Sequence, residues 1–107
     1  MSVHDERLAA LLQEQAANYI AREAGRNTLI TPTWVDVSKD GKNATIFVSV
    51  YPTEETEHAL AFLARHKDLF RDFLKTHARL SRLPFIRFDL DAGERNRQHL
   101  DELSKEL

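Results

Sequence analysis

Lys67, Arg71, Lys75 and Arg79 recur at intervals of four, the step that stacks side chains along one face of a helix. A row of cations spaced this way can follow a phosphate backbone, which attracts Lys and Arg without any base being read. The same row also fits a solvated helix face on which Asp68 and Asp72 pair with Arg71 and Lys75. The local composition favours an anionic partner. Residues 65–87 hold seven basic side chains, Arg65, Lys67, Arg71, Lys75, Arg79, Arg82 and Arg87, against Asp68 and Asp72, a local charge of +5. Across all 107 residues, 15 Lys and Arg meet 17 Asp and Glu for a formal charge of −2, so the acidic residues are gathered elsewhere. A chain of that net charge attracts polyanions weakly in general, which leaves binding to one basic face.

Other chemistry finds few candidates. The histidines are His4, His58, His66, His77 and His99. Helical rise puts His66 and His77 roughly 16 Å apart and His58 and His66 roughly 12 Å apart, too far for either pair to hold one ion at ~2 Å from each ligand. They read as solvated or locally paired side chains, and His66 and His77 can add charge to the basic block below their pKa. The three glycines, Gly25, Gly41 and Gly93, cannot build a phosphate-binding or dinucleotide-binding loop. No serine lies in a nucleophile elbow, and the chain has no cysteine, so thiol catalysis, disulfides and zinc–thiolate sites are excluded. The carboxylates Glu54, Glu55 and Glu57, and Asp101 and Glu102, fall at a helix start or on a polar tail. The expectation is a protein that is not an enzyme and takes no metal or cofactor. No apolar run approaches the ~20 residues that span a bilayer. The first residues lack the basic and apolar regions of a signal peptide, so neither secretion nor membrane association is expected.

These side chains need elements to position them. Leu8, Leu11, Leu12, Ala16, Tyr19 and Ile20 recur at helical steps and predict a helix over residues 3–24, with Ser2 and Asp5 as a capping box and Gly25 as its left-handed stop. Two alternating stretches follow. Thr31, Thr33, Val35 and Val37 fall on one side of the first, and Ala44, Ile46, Val48 and Val50 on one side of the second. Lys39-Asp40-Gly41-Lys42-Asn43 between them predicts a hairpin turn with positive φ at Gly41. Pro32 lacks an N–H, which places the start of the first strand at an edge or a bulge. Thr53 is a candidate cap for a helical pattern that runs to Leu83 as one helix or two abutting ones, and Pro84 stops it. Phe85–Leu90 predicts a third strand with Ile86, Phe88 and Leu90 on one side. The order α-β-β-α(α)-β predicts an α+β fold, a three-stranded sheet with helices packed on one face. Residues 1–93 are expected to form one domain, and residues 94–107 a weak helix or tail.

Val35–Val50, Arg79–Phe88 and a closing segment with Glu94, Asp101, Glu102 and Leu103, taken in that order, resemble the ribosome-binding factor A family of bacterial assembly factors. Val35-Asp36-Val37-Ser38-Lys39-Asp40-Gly41-Lys42-Asn43-Ala44-Thr45-Ile46-Phe47-Val48-Ser49-Val50 is similar to the family's hairpin. Arg79-Leu80-Ser81-Arg82-Leu83-Pro84-Phe85-Ile86-Arg87-Phe88 is similar to its entry into the last strand, and Glu94, Asp101, Glu102 and Leu103 fit its closing segment. The resemblance implies a type II KH-like domain that binds the small ribosomal subunit and its rRNA late in assembly, supports 5′-end processing and is not an enzyme. Such a factor is expected to be a cytoplasmic monomer. Arg65, Lys67, Arg71, Lys75, Arg79 and Arg82 are then the candidate RNA-binding residues. The family bends its two central helices at an Ala-x-Gly kink, which aligns with His66, Lys67 and Asp68. Neither the small residue nor the glycine is present here, so either packing keeps the kink or the helix runs straighter.

A second surface competes with the basic one. If Val35, Val37, Ile46, Val48, Ile86 and Phe88 face the helices, then Trp34, Phe47, Tyr51 and Phe85 lie on the opposite face of the sheet. Exposed aromatics can stack on bases, mark self-association or partner binding, or be covered by Leu100, Leu103 and Leu107 of the tail. The alternative function is therefore a protein-interaction module that uses this aromatic face.

Overall fold

The structure, a computed structural model, describes residues 3–93, with side chains from Glu6 onward. The expected Ser2–Asp5 capping box and the tail over residues 94–107 lie outside the described residues. Helix α1 spans Val3–Glu23 and strands β1 and β2 span Leu29–Val37 and Asn43–Tyr51. Helix α2 spans Thr56–His77 after a 3-10 turn at Thr53–Glu55, and strand β3 spans Phe85–Leu90. The sheet order is β1-β2-β3, with β1 antiparallel and β3 parallel to β2. A parallel neighbour requires a crossover, and α2 supplies it. Both helices bury their apolar stripes on one face of the sheet, as the α+β, KH-like reading expects.

The core forms where three periodicities meet. Leu12, Ala16, Tyr19 and Ile20 of α1 and Ala59, Leu63, Phe70 and Leu74 of α2 are buried against Ile30, Val35, Ala44, Ile46, Val48, Val50 and Ile86. Each large apolar side chain taken fully out of water contributes about 1.5–3 kcal/mol. At the centre, Tyr19 meets Phe70 and Phe73 edge-on at ring-centroid distances of 5.5 and 5.4 Å, and Phe70 meets Phe88 at 5.7 Å. These separations suit offset or T-shaped ring pairs.

Four local expectations are corrected. First, Gly25 does not adopt a left-handed conformation; among the described residues positive φ occurs at Gly41 alone, at 71°. The end of α1 is closed by Ala24 N donating to Ile20 O at 2.8 Å. Second, the inward side of β1 changes phase. Pro32 pairs with Val48 and Trp34 with Phe47, so Thr33 has no opposite residue and forms a bulge. One inserted residue swaps the two faces, and Ile30 and Pro32, not Thr31 and Thr33, are buried with Val35. Gln13 Nε2 donates to the carbonyls of Pro32 and Thr33, and Thr33 Oγ1 donates to Asp91 Oδ2 at 2.6 Å. The bulge is thus fixed to α1 and to the chain leaving β3. Third, Thr53 caps nothing through its side chain. Its carbonyl instead accepts from Thr56 Oγ1 at 2.6 Å. Fourth, α2 ends at His77, six residues before the pattern's limit at Leu83. Ala78 is extended at φ −139°, ψ 143°, and Thr76 Oγ1 donates to the Phe73 carbonyl at 3.1 Å. Residues 78–84 then return the chain to the sheet, where Phe85 N donates to Lys42 O at 2.8 Å.

Candidate nucleic-acid interface

The six candidate cations divide between two kinds of structure. Arg65, Lys67, Arg71 and Lys75 stand on α2, whereas Arg79 and Arg82 lie beyond its end on the 78–84 connection. The four-residue row expected from Lys67 to Arg79 therefore stops at Lys75.

Arg71 is held inside the fold. Its Nε and Nη2 donate to the carbonyls of Pro84 and Leu83, both at 3.1 Å, and its guanidinium lies 4.7 Å from the Phe85 ring centroid. The planar fork of arginine suits this double donation, and it fixes the entry to β3 on the side of α2. The alternative pairing of Arg71 with Asp68 is not formed. Lys75 does meet Asp72, at 3.3 Å, in an exposed i,i+3 pair of small energetic weight. Arg65, Lys67, Arg79 and Arg82 are exposed and have no hydrogen-bond or ion-pair partner among the described residues.

His66, Lys67 and Asp68 do not join two helices. A single α-helix runs through them without a break, because no glycine loosens the backbone and His66 is tied to α1. Tyr19 Oη and His66 Nδ1 are 2.6 Å apart, and the imidazole packs on Phe62 with ring centroids 4.1 Å apart. Burial raises the Tyr19 phenol above its usual pKa, with Glu23 adding to the effect. His77 lies flat on Phe73 at 3.9 Å, and His58 pairs with Glu55 at 3.1 Å. Among the described residues no three His, Cys, Asp or Glu side chains gather as metal ligands.

The fold brings further cations to the end of the molecule where α2 stops. The hairpin turn after β1 brings Lys39, and the first turns of α1 bring Arg7, to a cleft that Arg82 also lines. Arg7 and Lys39 escape a sequence reading because each stands beside an acid, Glu6 and Asp40, that cancels it on paper. In the fold Asp40 turns inward to its own turn. Ser38 Oγ and Lys42 N both donate to Asp40 Oδ1, at 2.6 and 3.0 Å, and these bonds hold its carboxyl below the usual pKa. The opposite end carries Glu54, Glu55 and Glu57 at the start of α2.

The aromatic face is present at Trp34, Phe47 and Tyr51, whereas Phe85, although exposed, lies under the guanidinium of Arg71 from α2. Trp34, Tyr51 and Phe85 are exposed. Phe47 is half-buried and stacks on Trp34 with ring centroids 4.3 Å apart and planes within 5°. No described helix is long and apolar enough to cross a membrane.

Residues 4–104 match the family model described as Ribosome-binding factor A. A Ribosome-binding factor A from Thermomicrobium roseum is 31% identical over 109 residues, covering 99% of this chain and 82% of the relative. The crystal structure of ribosome-binding factor A from Thermus thermophilus superposes with a TM-score of 0.70 at 29% identity, over 80% of this chain and 94% of that one. A homology model of the Thermus thermophilus factor, fitted into a cryo-electron-microscopy map of its complex with the 30S subunit, gives a TM-score of 0.66 at 29% identity. It covers 76% of this chain and 88% of that one.

Proposed function

The chain belongs to the ribosome-binding factor A family, and from that premise we propose that it is a non-catalytic assembly factor of the small ribosomal subunit. It binds the subunit and its rRNA late in maturation, supports processing of the rRNA 5′ end, and acts as a cytoplasmic monomer. The observation that carries this reading is the set of exposed cations without internal partners, Arg65, Lys67, Arg79 and Arg82, on a fold whose Thermus relative has been fitted into a map of a 30S complex. Lys75 contributes charge beside them, partly offset by Asp72. Arg71 supports the interface by fixing the connection that bears Arg79 and Arg82.

Neutralising phosphates releases counterions, so affinity must fall steeply as salt rises. Sedimentation of the purified protein with isolated small subunits at 50 and 200 mM monovalent salt tests this. The expected result is cosedimentation at the lower concentration that falls by about tenfold or more at the higher, as a few phosphate contacts require. Cosedimentation that does not change with salt, or none at either concentration, contradicts the reading.

A further inference from the structure

The first turns of α1, the hairpin turn at residues 39–41 and the connection at residues 80–82 line an open cleft of about 440 Å³. That volume lies within the range of small-ligand sites. Its lining is ordered by chemistry. Leu8, Leu11 and Leu80 are half-buried and make an apolar floor, whereas Arg7, Lys39 and Arg82 are exposed and stand around it. None of these three cations has an ion-pair partner among the described residues. The acid at the rim, Asp40, is already engaged by Ser38 Oγ and the Lys42 N–H.

We infer that this cleft holds one unstacked nucleotide of single-stranded RNA, its base against the three leucines and its flanking phosphates on Arg7, Lys39 and Arg82. The inference rests on the proposed binding of small-subunit rRNA and assigns that binding a specific pocket, separate from the α2 cations. An apolar floor inside a cationic rim matches a nucleotide, whose base is apolar on its faces and whose charge lies on the backbone at its edge. Proteins that read RNA do so mainly at single-stranded positions where a base can be splayed out. Duplex RNA, with its bases stacked inside, offers the cleft only phosphates. The site is assembled from three separate stretches of sequence, and each contributes one cation. Gly41 makes the tight turn at positive φ that sets Lys39 and Asp40 in place.

Methyl NMR spectra of the full chain, titrated with a five-residue oligouridylate and separately with inorganic phosphate, test the inference. The oligonucleotide is expected to shift the Leu8, Leu11 and Leu80 methyls, and phosphate is expected to leave them in place. The triple variant Arg7→Glu, Lys39→Glu, Arg82→Glu should bind the oligonucleotide at least tenfold more weakly with an unchanged melting temperature. Arg82→Gln alone, which keeps the fold if the triple variant does not, should lower the slope of log affinity against log salt by about 0.7, the value for one phosphate contact on a single strand. Methyl shifts confined to α2 near Arg65 and Lys67 overturn the inference. So do equal leucine shifts with inorganic phosphate, or with an oligoglutamate peptide standing in for an acidic protein partner. Small-subunit sedimentation separates this inference from the reading beneath it. If the wild-type chain and the triple variant sediment equally, the cleft fails and the assembly-factor reading stands. If the wild-type chain does not sediment but oligouridylate moves the leucines, that reading fails and the cleft stands.

Discussion

On α2, Arg71 donates twice to the carbonyls of residues 83 and 84, and Lys75 faces Asp72 at 3.3 Å. A few residues further on, Arg79 and Arg82 extend from an irregular connection with no internal partner among the described residues. Both regions belong to one basic run, and composition alone treats their charges as equal. Their difference follows from geometry. On the part of α2 that faces the entry to β3, Arg71 reaches carbonyls and a ring, and Lys75 reaches an acid one turn away. A connection that bridges a helix end and a strand passes over the outside of the fold, and its side chains meet solvent. Arg65 and Lys67 of α2 are also exposed without internal partners among the described residues, but Arg79 and Arg82 are joined by Lys39 and Arg7, so the end of the molecule where α2 stops gathers more of the charge available to a polyanion.

The largest effect expected from this contrast is on stability, at Arg71. Arg71→Ala removes two charge-assisted bonds to backbone carbonyls and the cation over Phe85, and should lower unfolding free energy by about 2–4 kcal/mol in a denaturant titration. Arg71→Lys should recover less than half of that, because an ammonium cannot reproduce the two-pronged donation. A loss below about 0.5 kcal/mol for Arg71→Ala would return this residue to the group that serves binding alone.

A smaller effect is expected at the pair that joins α1 to α2 at His66. Tyr19→Phe removes the bond to His66 and should cost about 0.5–1.5 kcal/mol. The sign of its pH dependence is fixed by the raised phenol pKa. The folded state holds the Tyr19 proton more tightly than the unfolded chain, so its contribution is complete below the ordinary tyrosine pKa of about 10 and is lost as pH rises through the folded value. Unfolding free energy followed from pH 8 to 11 should therefore fall less steeply in Tyr19→Phe than in the wild-type chain. Identical slopes would show that the phenol is not perturbed.

Much of the fold was legible because it rests on repeats of the chain itself. The stripe from Leu8 to Ile20 predicts α1 to within a residue of its end, and the alternation from Ala44 to Val50 predicts the inward face of β2. Gly41 and its neighbours predict the hairpin. The misses in β1 and at the end of α2 have a different cause, which is that tertiary partners decided the outcome. Nothing in the local pattern of β1 marks Thr33 as the bulged residue. It is selected by Gln13 on one side and Asp91 on the other. Helical propensity continues past His77, but the chain must turn there to lie parallel to β2. Where α2 passes unbroken through His66, that residue meets Tyr19, 47 residues away in sequence. Of the candidate site, the basic run was visible as composition. Its division into internally held and available charge was not, because the carbonyls that engage Arg71 have no signature in side-chain sequence. Arg7 and Lys39 were hidden for the complementary reason, since adjacent acids cancelled them in a count that cannot see where Asp40 points.

The central claim is that binding charge lies on the connection after α2 more than on α2 itself. Two paired charge reversals, Arg79→Glu with Arg82→Glu and Arg65→Glu with Lys67→Glu, alter the net charge equally and involve exposed side chains without internal partners among the described residues. Dissociation constants for small ribosomal subunits, measured for both variants at one salt concentration with their melting temperatures matched to wild type, test the claim most directly. The account predicts at least a tenfold greater loss of affinity for the Arg79 and Arg82 pair than for the Arg65 and Lys67 pair. Equal losses, or a greater loss for the helix pair, would contradict it.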